Sequence, residues 1–188
     1  MHQSKSISRR TAVTAVGCLA VQKIFAIDAR ETAPRFRAKT LEGESLSNES
    51  AKGKILLLQF WTTWCPYCKS DQAAVDAIQH DFANQKLVVL GVNVAESKKK
   101  VKRFLESQPR SYPTVLMEDT NLAAVFEVKR FPTYVLIDRN GKIAGTQKGA
   151  GGEGSLRRLL HKVDLESSES SAPDSSIKDE ELRSSPRS

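Results

Sequence analysis

A short, nearly continuous apolar run, Lys54 to Phe60 (KILLLQF), leads within five residues into Trp64-Cys65-Pro66-Tyr67-Cys68, after which the apolar spacing turns helical. A run with no polar alternation, preceded by Gly53, marks a strand buried on both faces. Val75, Ile78 and Phe82 then fall at i, i+3 and i+7, one face of a helix. A strand of that kind must be covered on both sides, which restricts the chain to layered α/β architectures.

The rest of the middle follows the same alternation. Leu87 to Val94 (LVVLGVNV) is a second buried strand. Ser97 stands where a cap belongs, before a helix with Val101, Phe104 and Leu105 on its apolar face. Thr114 to Met117 reads as a short strand and Leu122 to Phe126 as a short helix. Tyr134 to Ile137 runs into Asp138-Arg139-Asn140-Gly141, where Asn-Gly predicts a hairpin to Lys142–Lys148. Ser155 is placed to cap a last helix bearing Leu156, Leu159, Leu160 and Val163. Upstream, Phe36 to Leu46 contains Leu41-Glu42-Gly43-Glu44 and suggests an added N-terminal hairpin. The expected order is β-α-β-α-β-(α)-β-β-α: a central sheet between helices.

Composition narrows the class by exclusion. With 27% charged and 39% hydrophobic residues, 10 Gly and 3 Cys, the 188-residue chain is neither collagen-like, wholly disordered nor disulfide-dense. No apolar run approaches the roughly 20 residues of a spanning helix. Its net charge of +7 is unevenly placed: residues 1–29 carry +3 and residues 164–188 carry −4, which leaves +8 between them. The basic residues there are scattered except for Lys98, Lys99, Lys100, Lys102 and Arg103, a run read as a solvated helix face. Nothing in it points to nucleic acid.

The two ends are read as tails on a domain spanning 30–163. Residues 1–29 have a basic n-region ending in Arg9-Arg10, an apolar stretch Thr11–Val21, and small residues Ala26 and Ala29, the pattern of an export signal or N-terminal anchor. Ser8-Arg9-Arg10 loosely resembles a twin-arginine signal, and Ala15-Val16-Gly17-Cys18 a weak lipoprotein box. Residues 164–188 are rich in Ser and acids with two Pro, and lack the apolar side chains that would offset the entropy of ordering.

Chemistry concentrates at Cys65 and Cys68. A disulfide three residues apart closes too small a loop to stabilise much. A structural zinc site needs four ligands, and no second cysteine pair exists; no metal and no bound cofactor are expected. Redox exchange remains. At the first turn of a helix, Cys65 meets unpaired amides and the positive end of the dipole, which favour its thiolate. Cys68, one turn further in, is expected to be more buried and to act second. Phe131-Pro132-Thr133, before the Tyr134 strand, reads on its residues alone as an edge or turn proline, with a cis-proline beside the cysteines, found in about 5–6% of X-Pro bonds, as the functional alternative.

Taken together, Ala33-Pro34-Arg35-Phe36, the Gly43 turn, Gly53-Lys54, Phe60-Trp61-Thr62-Thr63-Trp64-Cys65-Pro66-Tyr67-Cys68-Lys69, Phe131-Pro132-Thr133 and Ile137-Asp138-Arg139-Asn140-Gly141-Lys142 resemble the thioredoxin superfamily, and within it the extracytoplasmic TlpA/ResA-type thiol–disulfide oxidoreductases. The resemblance covers about residues 33–163. It implies a thioredoxin fold with an N-terminal β-hairpin and a cis bond before Pro132. It further implies reduction of disulfides in exported proteins, such as apocytochrome c or copper-site cysteines, with electrons from a membrane or extracytoplasmic donor. Cys65 and Cys68 would be catalytic; Trp64, Pro66, Tyr67, Phe131 and Pro132 would meet substrate.

Three departures qualify it. Gln59 stands where thioredoxins carry a buried carboxylate, although an amide is usual in the TlpA/ResA branch. Asp71 replaces the Glu often found there, so it reads either as a first-turn acid or as the proton acceptor for Cys68. Pro66-Tyr67 is the pair typical of glutaredoxins and keeps a more oxidising role open. Glu96 is read as a loop acid near the site, Trp61 as packing, and Trp64 as a rim residue. The competing functions are an exported disulfide oxidase or isomerase, and a thioredoxin-fold binding module. A peroxidase is disfavoured because no lone cysteine stands in a Pro/Thr context.

Overall fold

A computed structural model of the protein describes residues 31–163. The readings of residues 1–29 and 164–188 as export segment and tail lie outside those residues.

Seven strands form one sheet in the order β2-β1-β5-β4-β3-β6-β7. Strand β3 (Ile55–Trp61) is central, every residue buried. It pairs in parallel with β4 (Leu87–Asn93) and antiparallel with β6 (Thr133–Ile137). The N-terminal hairpin, β1 (Arg37–Thr40) and β2 (Ser45–Ser47), adds antiparallel to β5 (Thr114–Thr120) and extends the sheet on that side. On the other side β6 turns through Asp138–Lys142 into β7 (Ile143–Lys148), with Gly141 at φ 74°, where a side chain would be strained.

The period-two alternation of β3 feeds two cores. Ile55 and Leu57 pack with Val75, Ile78 and Phe82, and with Leu156, Leu159 and Leu160. Those side chains belong to helix α2 (Gln72–Asp81), the Phe82 that ends it, and helix α5 (Gly152–Leu160). Leu56, Leu58 and Phe60 face the opposite layer, built from Ala33, Phe36, and Leu122 and Ala123 of the short α4 (Leu122–Val125) with Phe126 after it. Each fully buried side chain of this size contributes about 1.5–3 kcal/mol by leaving water. A third cluster joins Trp61, Cys65 and Cys68 to Leu116 and to Val101 of α3 (Lys98–Ser107). It lies at the carboxyl end of β3.

Two helix boundaries differ from expectation. The helix after the cysteines is broken into α1 (Pro66–Ser70) and α2, with Asp71 at the junction. The last helix begins at Gly152 rather than after Ser155, whose hydroxyl instead donates to Gln147 Oε1 at 2.9 Å. Asp71 accounts for the second. The Asp71 carboxylate accepts the backbone N–H groups of Gly151 (3.3 Å) and Gly152 (3.0 Å), so the α5 amides are satisfied by a side chain from the α1–α2 junction. Ser97 does precede α3, but its hydroxyl makes no capping bond.

Candidate active site

Cys65 and Cys68 are joined in a disulfide, their Cα atoms 5.3 Å apart. Cys65 is the N-cap of α1 and Pro66 its first residue, a position where the missing N–H costs nothing. Cys65 Sγ accepts the Cys68 backbone N–H at 3.1 Å. In the reduced protein that donor favours a thiolate on Cys65 over a thiol. Cys68 is fully buried and Cys65 3% exposed, so the outer sulfur is the one an attacking group can reach.

The rim is aromatic and wet on one side. Trp64 is 63% and Tyr67 66% exposed, unusual for side chains of this size in a packed domain. Trp64 meets Phe131 edge-to-face, ring centroids 6.1 Å apart. Phe131 also packs against the cysteine cluster, which brings the cis Phe131–Pro132 bond to the same edge of the site. Trp61 is fully buried, as a packing residue must be.

Glu96 lies in the loop after β4, as expected, but its side chain is buried. Its carboxylate accepts the Thr63 N–H and hydroxyl, each at 2.6 Å, the Asn93 amide at 2.8 Å, and the Lys100 ammonium at 2.7 Å. Burial alone would raise its pKa. Lys100, Thr63 and Asn93 together outweigh it and hold the group at about 2. Ala95, at φ 58°, turns the chain so that Glu96 reaches inward. Sequence spacing could not show this, because Thr63 and Glu96 are neighbours only once β3 and β4 pair.

A mostly buried polar chain begins at Asp71, three residues after Cys68, and ends at Arg110. Asp71 Oδ2 accepts the Tyr134 hydroxyl at 3.0 Å, and Gln59 Nε2 donates to that hydroxyl at 3.4 Å. Gln59 Oε1 accepts both Tyr112 and Arg110 at 2.7 Å. Burial pushes the Tyr112 phenol up to about 12, against the pull of nearby Arg110, so it stays a neutral donor. Tyr134 shifts the same way, also through burial. Arg110 and Tyr112 sit in a loop with no periodic pattern, and no sequence signal singled them out.

A strand ending in a cysteine pair at a helix start, on a central mixed sheet, with a cis-proline at the same edge, is the arrangement of a thioredoxin-like thiol–disulfide oxidoreductase. The chain belongs to the AhpC/TSA family, whose model matches residues 29–146. It is similar to the thioredoxin-like protein YneN of Bacillus subtilis, 32% identical over 148 residues, covering 77% of this chain and 84% of that one. It is also similar to the thiol–disulfide oxidoreductase ResA of Halalkalibacterium halodurans, 27% identical over 135 residues and covering 72% and 77%. Among solved structures, a thiol:disulfide interchange protein of the thioredoxin family from Chlorobium tepidum superposes with TM-score 0.62 at 27% identity, covering 70% of this chain and 94% of that one.

Proposed function

We propose that this protein reduces disulfides in exported proteins through Cys65 and Cys68. In the first step the Cys65 thiolate attacks a substrate disulfide. A Cys65–substrate bond forms, and the other substrate sulfur leaves as a thiolate. In the second step Cys68 loses its proton and attacks Cys65 Sγ, breaking the mixed disulfide and releasing the remaining substrate thiolate. Two electrons pass to the substrate, and the protein is left oxidised. A dithiol donor at or outside the membrane restores it.

The observation that carries this reading is the asymmetry of the pair: Cys65 at the N-cap accepting an N–H, Cys68 sealed beneath it. Asp71 is the group assigned to take the Cys68 proton. It is 3% exposed, and its three donors leave room among the roughly four lone-pair sites of a carboxylate. Trp64, Pro66, Tyr67, Phe131 and the backbone beside Pro132 would hold an extended substrate, with apocytochrome c and copper-site cysteines the clients suggested by the ResA likeness. Residues 1–29 would direct export or anchor the protein, by lipidation of Cys18 among other routes, and residues 164–188 would be a tail.

Trapping tests the sequence of steps. Cys68→Ser should accumulate a covalent Cys65–substrate adduct, visible by mass spectrometry, and Cys65→Ser should form none. An adduct on Cys68 in the Cys65→Ser variant, at the rate seen for Cys65, would reverse the assignment.

A further inference from the structure

The chain from Asp71 to Arg110 has only one consistent direction of donation. A guanidinium carries donors and no acceptor, so the Gln59 atom 2.7 Å from Arg110 must be Oε1. The Tyr112 hydroxyl lies 2.7 Å from the same oxygen and 3.1 Å from Gln72 Oε1, and can donate to either. With Oε1 committed, Nε2 is left facing Tyr134. The Tyr134 oxygen accepts there, and its own proton is directed to Asp71 Oδ2. Gln59 and Tyr134 are fully buried, Tyr112 and Asp71 nearly so, so water is not available to substitute for a lost partner.

Arg110 is fixed for this task. Its guanidinium carbon lies 3.5 Å from the centre of the Trp61 ring, and Trp61 shares a packed cluster with both cysteines. The Arg110 side chain also donates to the Tyr112 hydroxyl at 2.9 Å. Burial of a guanidinium is unfavourable, and here it lowers the Arg110 pKa against the opposing pull of Tyr112. A surface role would not require such a placement.

We infer that Arg110 is a positioning residue for the second thiol–disulfide step: through Gln59 and Tyr134 it orients the Asp71 carboxylate that takes the Cys68 proton. The inference rests on the assignment of Asp71 made above. In the step concerned, the Cys68 proton passes to Asp71, the Cys68 electron pair forms the bond to Cys65 Sγ, and the Cys65–substrate bond breaks with its pair leaving on the substrate sulfur. Without Arg110 the Gln59 amide can turn over and offer Oε1 to Tyr134, with Tyr112 turning its proton to Gln72 Oε1 instead. Tyr134 would then give its proton to Gln59, and Asp71 would lose one of its three donors, the side-chain one, keeping the Gly151 and Gly152 amides.

Single-turnover reduction of a fluorescent peptide disulfide by the full reduced chain separates the two steps. Arg110→Met should slow resolution of the mixed disulfide about tenfold, part of the two to four decades a positioned acid–base group contributes. It should also change the pH profile of that step and leave the rate of adduct formation unchanged. In an Asp71→Asn background the same substitution should add nothing. Tyr134→Phe, which removes only the hydroxyl in the middle of the chain, should reproduce the loss and decides the matter if Arg110→Met does not fold. Equal slowing of both steps, an undiminished effect in Asp71→Asn, or unchanged resolution in Arg110→Met or Tyr134→Phe would overturn the inference. If Asp71→Asn alone resolves at the normal rate, the assignment of Asp71 fails and the inference with it. If only Asp71→Asn is slow, Asp71 stands and Arg110 does not.

Discussion

The carboxylate of Glu96 accepts both the backbone N–H and the hydroxyl of Thr63, each at 2.6 Å, two residues before the reactive Cys65. The loop that presents the cysteine is thereby tied to the end of β4 and to Lys100 of α3.

This tie has a pH signature. Glu96 is held at about 2, below its ordinary 4.5. A group whose folded pKa is depressed stabilises the fold fully above its unfolded value and loses that contribution as pH falls through the folded one. About 3 kcal/mol should therefore disappear between roughly pH 5 and pH 2. Denaturant titrations of the native protein and of Glu96→Gln should converge towards pH 2. Parallel curves would deny the tie.

Trp64 and Tyr67 are expected to matter to substrates more than to stability. Both are more than three-fifths exposed. Replacing either with Ala should change unfolding free energy by less than about 0.5 kcal/mol. It should nevertheless lower kcat/KM for a protein disulfide about tenfold, near 1.4 kcal/mol. A small-molecule disulfide, too short to reach the rim, should be reduced as before. An equal loss for both substrates would place these side chains in the chemistry instead.

Gly91 is where backbone must pass close to the buried ring pair. A Cβ there would stand 3.2 Å from Trp61 Nε1 and 3.2 Å from Tyr112. Gly91→Ala should cost about 1–3 kcal/mol by overpacking. Thermal unfolding reads this directly, and a change under about 0.5 kcal/mol would mean the rings can yield.

Leu160 is fully buried in the core shared by α2, α5 and the sheet, a cluster that does not include the cysteines. Leu160→Ala should destabilise by about 2–5 kcal/mol. The rate of Cys65 alkylation in the folded variant should not move, which distinguishes loss of core from damage to the site.

The layered fold was legible because β3 and β4 are buried on both faces and so appear as unbroken apolar runs, and because Asn140-Gly141 marks its hairpin. The cysteine pair was legible for a different reason: with no second pair to complete a metal site, two sulfurs at that spacing at a helix start leave redox exchange. Asp71 was read against its own helix, yet its donors come from Tyr134 and from α5, eighty residues on. Glu96 was placed as a loop acid near the site but without its partners, and Arg110 was not singled out at all. Their partners are set by strand pairing and loop packing, which leave no period in the sequence.

The reductant reading is tested most directly by the midpoint potential of the Cys65/Cys68 couple, titrated in the full chain against a defined thiol–disulfide buffer. A midpoint near about −270 mV, that of a reducing thioredoxin, is the predicted result. A midpoint near about −120 mV, that of a strong disulfide donor, would contradict it and make the protein an oxidant of its clients.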